Sequence, residues 1–376
     1  NPERVAARRR QIEQISYPAA LGRLSRNRET TAVAGTHGKS TTAALLSHLL
    51  RAAGRDPTYC FGATYADGSP GGRWGGGETT VIEACEFRRN FLLLTPRSAI
   101  VTNIDQDHLD CYTDEADTLA AFRQFLGKIS ADSVPILQLA AADKIGFTGR
   151  AETFAVEGDP QGGRADWLAT EVALDAGGGR FRLRRGDTLV GEFQSPLCGR
   201  HNVENAAAAV IAALASDLTC REVARNLVTF PGVRRRLEPI RRDDGIVHFD
   251  DYAHHPTAVA ATIAALRHCY RDRRIVALFQ PHQATRLDRL FDDFVHALSA
   301  ADAVAILEVC RAREPAGLHP EISGRLAEAL QSQGVLVLPG RSWRDAWPNC
   351  LTACREGDVL VTMSAGHLEK DRYERN

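Results

Sequence analysis

Apolar and polar positions change their spacing along the chain, and each change predicts a new element. A short apolar run at 31–34 leads into a glycine-rich turn, and leucines at helical spacing follow over 41–51. This order predicts a buried strand, a tight loop and an amphipathic helix. Short apolar runs at 80–82 and 98–102 predict two more buried strands, while the glycine-dense stretch 68–77 predicts a loop. The pattern therefore predicts an α/β domain with a parallel sheet.

Two later stretches predict how this domain ends. Residues 180–193 alternate between apolar and other side chains, which predicts a small antiparallel annex to the parallel sheet. An alanine-rich helix is predicted over 202–215, and Phe230-Pro231-Gly232 has the composition of a turn between domains. We therefore predict a first domain over residues 29–230.

The last part of the chain repeats a rhythm of strands and helices. Apolar runs of four or five residues alternate with segments that predict helices. The predicted strands lie at 246–249, 275–279, 304–307, 335–338 and 359–363. Such runs predict a mostly parallel sheet that is covered on both faces. We therefore predict a Rossmann-like, doubly wound second domain over 231–376, and ligands of such sheets bind at the carboxyl ends of the strands.

Composition and charge narrow the possible functions. The chain has 376 residues, of which 44% are hydrophobic and 25% charged, and its formal net charge is -1. This is enough material for two or three domains. A nearly neutral chain argues against a broad nucleic-acid-binding surface, so a local site must hold any anionic ligand. Residues 1–28 have the composition of a basic helical segment with a turn near Tyr17-Pro18, and this segment is too short to fold alone.

The sequence also bears on the compartment. The longest apolar stretch, 206–215, is half as long as a membrane-spanning helix, and the first residues lack the features of a secretory signal. We therefore expect no membrane span and a cytoplasmic enzyme. The nine cysteines are scattered, and no spacing among them completes a zinc site. We predict reduced and mostly buried thiols.

The strongest chemical signal is the turn between the first predicted strand and helix, Gly35-Thr36-His37-Gly38-Lys39-Ser40-Thr41. Glycines allow backbone N–H groups to surround phosphate oxygens, and the helix N-terminus adds partial positive charge. Lys39 is expected to face solvent and to reach the β- and γ-phosphates of a nucleotide, and Ser40 is expected to bind magnesium. The turn therefore predicts a phosphate-binding loop.

Two further polar segments follow predicted strands. Glu83 comes directly after an apolar run, where a carboxylate suits a magnesium ion that bridges phosphates. Residues 102–110 bring several acids, amides and His108 to a strand end. Each segment alone is typical of a polar surface loop, and together with the phosphate-binding loop they predict a nucleotide and metal site.

Six motifs occur in the order found in Mur ligases, and the chain resembles that family over residues 1–366. The motifs are Ala34-Gly35-Thr36-His37-Gly38-Lys39-Ser40, Thr102-Asn103-Ile104 through His108-Leu109-Asp110, Gly199-Arg200-His201-Asn202 with Asn205, Arg235-Arg236, Asp250-Asp251-Tyr252-Ala253-His254-His255-Pro256-Thr257, and Phe279-Gln280-Pro281-His282. Each motif is short, and their combination in this order is specific.

The resemblance implies an ATP-dependent amide-bond ligase of peptidoglycan synthesis that works through an acyl phosphate. Within the family, the motifs are most similar to those of members that join L-alanine to UDP-N-acetylmuramic acid. These two molecules are the implied substrates, with ATP and Mg2+ as the implied cofactors. The resemblance also implies that residues 1–28 are the tail of an N-terminal UDP-binding domain.

The resemblance implies a role for each residue of this chain that matches a site position in the family's motifs. The implied residues are Lys39, His108 and Arg236 for catalysis, Gly35, Thr36, His37, Gly38, Lys39, Ser40, Thr41, Asn202, Asn205, Arg236 and Asp251 for ATP, Ser40, Glu83 and His108 for magnesium, and His254, His282 and Arg286 for the substrates. In this assignment Asn202 and Asn205 lie near adenine, while Arg236 and Asp251 reach the nucleotide from the domain junction.

Departures from the family pattern leave alternatives open. Gln283 stands where the family usually has Arg, and residues 364–367 differ from the usual Gly-Ala-Gly-Asp/Asn. Residues 253–258 also fit a muropeptide ligase, which joins a tripeptide to the same UDP sugar acid. A third alternative is a nucleotide-binding remnant without catalytic activity. The sequence does not predict the oligomeric state.

Overall fold

The structure of the protein is a computed structural model that describes residues 1–26, 28–106, 111–240, 244–312, 314–315 and 317–366. It begins with two helices, α1 (Pro2–Arg9) and α2 (Tyr17–Arg26). The sequence predicted a turn near Tyr17-Pro18, but these residues are the first two of α2. Proline fits there because the backbone N–H groups of the first helical turn have no partner within the helix.

Ten strands form the first sheet, and helices separate several of them along the chain. In chain order the elements are β1 (Glu29–Ala34), α3 (Lys39–Ala52), β2 (Thr58–Thr64), β3 (Pro70–Arg73), β4 (Thr79–Glu83), β5 (Ser98–Val101), α4 (Glu115–Leu126), β6 (Ile136–Gln138), α5 (Leu139–Ile145), β7 (Glu152–Val156), β8 (Trp167–Asp175), β9 (Gly178–Arg185), β10 (Thr188–Ser195), α6 (Arg200–Ala215) and α7 (Cys220–Leu227). Short 3-10 segments lie at Phe87–Leu93 and Gly162–Arg164. The strand order is β10-β9-β8-β7-β6-β5-β1-β4-β2-β3. We call these elements the first unit.

The first sheet is parallel from β8 to β2 and is covered on both faces. Val33 packs in a buried cluster with apolar residues of α3 and α6, whereas Ala32 and Ala34 pack in the opposite cluster with Phe122 of α4. Successive side chains of a strand point to opposite faces, so a strand buried on both sides reads as a continuous apolar run. This explains the run at 31–34 and confirms the predicted parallel sheet.

Antiparallel strands complete both edges of the first sheet. β8, β9 and β10 pair antiparallel and form the annex that the alternation at 180–193 predicted. At the other edge, β3 pairs antiparallel with β2 inside the stretch 68–77, which the sequence predicted as a loop. A Cβ atom on Gly71 would lie 1.9 Å from the carbonyl oxygen of Ala63. Glycine is therefore required there by the close approach of the two strands.

The second sheet has six strands in the order β11-β12-β16-β13-β14-β15. Its elements are β11 (Glu238–Ile240), β12 (Val247–Asp251), α8 (Pro256–Cys269), β13 (Ile275–Phe279), α9 (Ala284–Arg289), α10 (Phe291–Leu298), β14 (Ala303–Ile306), α11 (Ile322–Ser332), β15 (Leu336–Leu338), α12 (Trp343–Ala353) and β16 (Val359–Met363). All pairings except that of β11 with β12 are parallel. One buried cluster lies under α8, α10 and α11 and another under α12, which confirms the doubly wound fold. We call these elements the second unit.

Residues 228–237 connect the two units. The boundary that the sequence analysis set between 230 and 231 falls in this connection and stays a prediction. In the ranges that the structure describes, no helix combines the length and the apolar character needed to cross a membrane.

The prediction of nine reduced thiols is wrong at one pair. Cys198 and Cys269 form a disulfide with their Cα atoms 6.6 Å apart, and none of the other seven cysteines forms one. The pair is separated by 71 residues and joins the first unit to the second. Sequence spacing does not reveal such a pairing, because the two segments meet only when both units have folded.

Candidate active site

The turn between β1 and α3 has the geometry of a phosphate-binding loop. β1 ends at Ala34 and α3 begins at Lys39, so backbone N–H groups of the first helical turn lie next to the loop. Gly38 adopts the left-handed conformation with φ of 80°, and a Cβ atom on it would lie 2.2 Å from Oδ1 of Asn205. Glycine is therefore needed at this position both for the backbone and for the packing of the loop against α6.

Lys39 does not face solvent as the sequence analysis expected. Its side chain is 11% exposed, and its Nζ donates hydrogen bonds to the carbonyl oxygens of Gly35 and Thr36 and lies 2.9 Å from a carboxylate oxygen of Glu86. Burial alone would lower the pKa of Lys39, but the negative charges around it, above all that of Glu86, raise it on balance. Lys39 therefore carries a permanent positive charge inside the loop.

Ser40 and Glu83, which the resemblance assigns to one magnesium ion, meet beside this loop, and that assignment stays a prediction. The Ser40 hydroxyl donates to Oε2 of Glu83 at 2.8 Å, and the backbone N–H of Gly62 donates to the same oxygen at 2.6 Å. Glu83 is the last residue of β4, which lies next to β1 in the sheet. Hydroxyl and carboxylate oxygens are ligands that magnesium prefers, so this pair fits the implied metal.

The segment after β5 is hydrogen-bonded to the phosphate-binding loop and fixes its position. Asn103 accepts a hydrogen bond from the backbone N–H of His37 at 2.7 Å, and the Thr102 hydroxyl donates to the carbonyl oxygen of His37 at 2.6 Å. Thr36 and Asp105 exchange two further bonds through the Thr36 hydroxyl. His108, which the sequence analysis assigned to catalysis and metal binding, lies outside the described residues.

Asn202 and Asn205 are buried at the start of α6, directly beside the phosphate-binding loop. The Asn205 amide donates to Oδ1 of Asn202 at 3.1 Å, and the Thr42 hydroxyl donates to Oδ1 of Asn205 at 3.2 Å. Asn202 in turn donates to the carbonyl oxygen of Cys198. These bonds connect α6 to α3, and the assignment of both amides to adenine stays a prediction.

The segment after β5 also contacts the second unit, through Asp105. The Thr257 hydroxyl of α8 donates to Oδ2 of Asp105 at 2.6 Å, and His37 Nε2 lies 3.3 Å from the same oxygen. His255 Nδ1 lies 3.7 Å from it, and the rings of His37 and His255 are 5.1 Å apart between centroids. His37 contributes most to lowering the pKa of Asp105 well below its usual value, so the carboxylate is charged.

The same three side chains are a possible metal-binding set. Ligand atoms of His37, Asp105 and His255 all lie within 4.8 Å of one another. The shared oxygen of Asp105 already accepts a hydrogen bond from Thr257. We therefore interpret the set as a hydrogen-bonded contact between the two units, and we call it the Asp105 contact.

Arg236 lies where the two units meet. Its guanidinium stacks 5.0 Å from the Tyr252 ring, and its charge affects both Asp251 of β12 and His201 of α6. Burial raises the pKa of Asp251 to about 6, although Arg236 and two backbone N–H donors act in the opposite direction. Burial likewise lowers the pKa of His201 to about 4, with the positive charges of His37 and Arg236 adding to the effect.

The three residues assigned to the substrates come together in the second unit. The His254 and His282 rings lie 5.7 Å apart between centroids, and Arg286 of α9 donates to the carbonyl oxygen of His282 at 3.0 Å. The Arg286 side chain is buried. His282 follows β13 and His254 follows β12, so this cluster lies at the carboxyl ends of two strands, where doubly wound sheets bind ligands.

Several residues of the site were given no role by the sequence analysis. Glu86 pairs with Lys39, Asp105 and Thr257 join the units, and His201 lies near Arg236. Asp105, His201 and Thr257 stood within quoted motifs and Glu86 stood three residues after Glu83, and those positions were the available signal. Their partners are 47, 152 and 35 residues away, so only the folded chain identifies them.

Comparison with known proteins adds independent evidence. Residues 33–213 match the Mur ligase middle domain, and residues 235–366 match the glutamate ligase domain of Mur ligases. The UDP-N-acetylmuramate–L-alanine ligase of Acidithiobacillus ferrooxidans is 38% identical over 383 residues, which cover 98% of this chain and 80% of that protein. The enzyme of the same name from Acidothermus cellulolyticus is 36% identical, over 97% of this chain and 77% of its own length.

A solved structure agrees in fold. The crystal structure of the UDP-N-acetylmuramate–alanine ligase from Thermotoga maritima superposes with a TM-score of 0.80 at 23% identity, covering 100% of this chain and 82% of that one. The matched domains, the curated relatives and the shared fold lead to one conclusion. The chain belongs to the Mur ligase family.

Proposed function

We propose that this chain is an ATP-dependent ligase that joins L-alanine to the carboxyl group of UDP-N-acetylmuramic acid. The observation that carries the proposal is the contact between the phosphate-binding loop of the first unit and the His255 segment of the second. His255 follows His254 directly in the chain, so the contact brings the nucleotide site toward the group formed by His254, His282 and Arg286. The two relatives described above, which cover nearly the whole chain, are named for this reaction.

The first step forms an acyl phosphate. A carboxylate oxygen of the sugar acid attacks the γ-phosphorus of ATP, and the bond from that phosphorus to the bridging oxygen of ADP breaks. Lys39 supplies a fixed positive charge beside the transferred phosphoryl group, where negative charge is spread over its oxygens. The backbone N–H groups at the start of α3 add partial positive charge from the same side.

Ser40 and Glu83 would hold a magnesium ion beside the phosphates. Magnesium bound there neutralises phosphate charge during phosphoryl transfer. Without it, the Ser40 hydroxyl is already oriented by its bond to Glu83, and Gly62 fixes the carboxylate through its backbone N–H. Both ligands are therefore preorganised by the sheet and by α3.

The second step forms the amide bond. The neutral amino group of alanine attacks the acyl carbon, a tetrahedral intermediate forms, and inorganic phosphate leaves as the amide is completed. His254, His282 and Arg286 supply hydrogen-bond donors and positive charge that suit the carboxylate of the amino acid and other anionic groups of the substrates. Because ATP is the phosphoryl donor, we propose that the reaction takes place in the cytoplasm.

ADP release measured with each substrate omitted in turn tests the proposal. We expect ADP only when ATP, Mg2+, UDP-N-acetylmuramic acid and L-alanine are all present, together with a product of the mass of the alanyl conjugate. Release that needs the tripeptide instead of alanine would assign the muropeptide reaction. Nucleotide binding without any ADP release would identify a non-catalytic remnant.

A further inference from the structure

A covalent link joins the two units away from the Asp105 contact. Cys198 lies between β10 and α6, and Cys269 is the last residue of α8. Both side chains are only 9% exposed, and their Cα atoms are 6.6 Å apart. The disulfide that joins them takes no part in the ligation chemistry, so it needs a separate explanation.

Helix α8 is attached to the first unit at both of its ends. At its N-terminal end, Thr257 donates to Asp105 and His255 lies beside His37. At its C-terminal end, Cys269 is bonded to Cys198. The helix has 14 residues, so the two attachments are about 20 Å apart at 1.5 Å per residue. One attachment permits the second unit to pivot on the first, whereas two attachments this far apart fix its orientation.

The link also lies close to the nucleotide side of the site. The carbonyl oxygen of Cys198 accepts a hydrogen bond from Asn202, and Asn202 is bonded to Asn205 beside the phosphate-binding loop. The backbone at position 198 is therefore connected to that loop by a short chain of hydrogen bonds, which serine in place of Cys198 would keep. None of the seven other cysteines, all of which lie in the described parts of the chain, forms a disulfide.

We propose that Cys198 and Cys269 are a reversible thiol–disulfide site that locks the second unit against the first when the surrounding thiol pool becomes oxidised. In a compartment kept reduced by glutathione, such a pair is present as two thiols, and disulfides there are usually transient. The bonded form is the locked state, and the dithiol form is the state in which the two units can separate.

The bond forms by exchange with a small disulfide such as oxidised glutathione. The thiolate of one cysteine attacks a sulfur of the small disulfide, which gives a mixed disulfide and releases one small thiol. The thiolate of the second cysteine then attacks the protein sulfur of the mixed disulfide and releases the second small thiol. Two electrons pass from the protein to the small disulfide, and dithiothreitol reverses both steps.

The lock slows the exchange of nucleotide. In the closed arrangement the His37 ring of the phosphate-binding loop lies against His255, so ATP must enter and ADP must leave when these segments separate. Opening and product release limit turnover in many enzymes that close over their substrates. We therefore expect the oxidised protein to release ADP at least about fivefold more slowly than the reduced protein.

The test compares wild type with Cys198→Ser and Cys269→Ser, and with Cys220→Ser as a matched control. Cys220 is a free, partly exposed cysteine at the start of α7. Each protein is treated with oxidised glutathione or with dithiothreitol and then freed of the reagent. Disulfide-linked peptides are identified by mass spectrometry, release of a fluorescent ADP analogue is followed by stopped flow, and alanine-dependent ADP formation is assayed.

We expect oxidised wild type and Cys220→Ser to show the linked peptide, slow analogue release and reduced turnover, all reversed by dithiothreitol. Cys198→Ser and Cys269→Ser should remain at the reduced wild-type rate after oxidation. Absence of the linked peptide in oxidised wild type, or an equal slowing in Cys198→Ser, overturns the proposal. The turnover assay rests on the proposed function, whereas the peptide and the ADP analogue do not. Suppose that the oxidised protein shows the disulfide-linked peptide and slow release of the ADP analogue, but the reduced protein does not ligate alanine. That result would refute only the ligase assignment.

Discussion

Lys39 has two separate tasks, because the charge that suits a phosphoryl group also balances a buried carboxylate. The Glu86 side chain is 4% exposed and lies 2.9 Å from Lys39 Nζ. Removing the ammonium group affects catalysis through the lost charge and affects folding through the carboxylate that stays behind. The sequence alone predicts only the first effect, because a lysine in a glycine-rich turn is expected to face solvent.

Lys39→Ala should therefore lose both turnover and stability. We expect kcat to fall by about 100- to 1000-fold, as for other single electrostatic donors. The free energy of unfolding should fall by about 3–5 kcal/mol, because a buried carboxylate loses its cation. ADP release and urea unfolding measure the two effects. The double variant Lys39→Ala/Glu86→Gln should regain most of the stability and none of the turnover, and recovery of turnover would show that Lys39 does not act on the phosphates.

His201 links the protonation of one residue to the stability of the fold. Its pKa is lowered to about 4 in the folded protein, whereas the ordinary value is 6.5. The unfolded chain therefore binds a proton in a range of pH where the folded protein does not. The stability that depends on the neutral ring is fully present above the pKa of the unfolded chain, 6.5. It is lost as the pH falls toward and through the pKa of the folded protein, about 4.

The pH dependence of unfolding checks this linkage. Between pH 7 and pH 5, His201 should lower the free energy of unfolding by about 2 kcal/mol, and His201→Gln should remove that part of the slope. His268→Gln, the same substitution at an exposed histidine of α8, is the matched control. Urea unfolding curves at several pH values supply the data, and a wild-type slope in His201→Gln would contradict the assignment.

At the level of elements, the sequence predicts what is local and misses what is not. β1, the glycine turn and α3 are contiguous, so their order and their phosphate chemistry could be predicted from spacing alone. The antiparallel annex and the doubly wound sheet could be predicted in the same way. The bond from Thr257 to Asp105 spans 152 residues and the disulfide spans 71, and no periodicity encodes either. β3 was missed because its glycines serve a close approach of strands.

Helix α3 offers an internal comparison between two glycines with the same backbone. Gly38 precedes the helix with φ of 80°, and Gly54 follows it with φ of 78°. A Cβ atom on Gly38 would meet Asn205, whereas one on Gly54 would meet nothing within 4 Å. Alanine at either position incurs the left-handed strain, and only at Gly38 does it also displace a side chain of the site.

Gly38→Ala and Gly54→Ala should therefore differ in binding. We expect each to lose about 1–2 kcal/mol of stability from the backbone conformation. Gly38→Ala should also lose at least about tenfold in affinity for ADP, because the loop can no longer pack against Asn205. Isothermal titration with ADP and urea unfolding separate the two effects. Equal ADP affinity in both variants would show that the packing of Gly38 on α6 is not needed for the loop to bind phosphate.

The whole molecule works through the junction of its units. Charged or polar side chains from both units meet there, with the half-buried Asp105 and His37 on one side and the buried His255 and the exposed Thr257 on the other. The hydrogen bond and the close charged contacts among them form only when the units lie in this arrangement, so the junction favours it. In the proposed reaction, catalysis needs the phosphate-binding loop of the first unit and the substrate residues His254, His282 and Arg286 of the second unit. The Asp105 contact therefore couples the position of the second unit to the phosphate-binding loop.

A double-mutant cycle on Asp105→Ala and Thr257→Val tests that coupling. Each single change should lower kcat/KM by about tenfold, and the double variant should be little worse than either, which corresponds to a coupling energy of about 1–2 kcal/mol. Thr153 and Asp166 provide the matched control, because the Thr153 hydroxyl donates to Oδ2 of Asp166 at 2.7 Å within the first unit. The cycle on Thr153→Val and Asp166→Ala should show coupling in the free energy of unfolding but none in kcat/KM. Strictly additive effects of Asp105→Ala and Thr257→Val on kcat/KM would mean that the hydrogen bond from Thr257 to Asp105 does not help to position the second unit on the phosphate-binding loop.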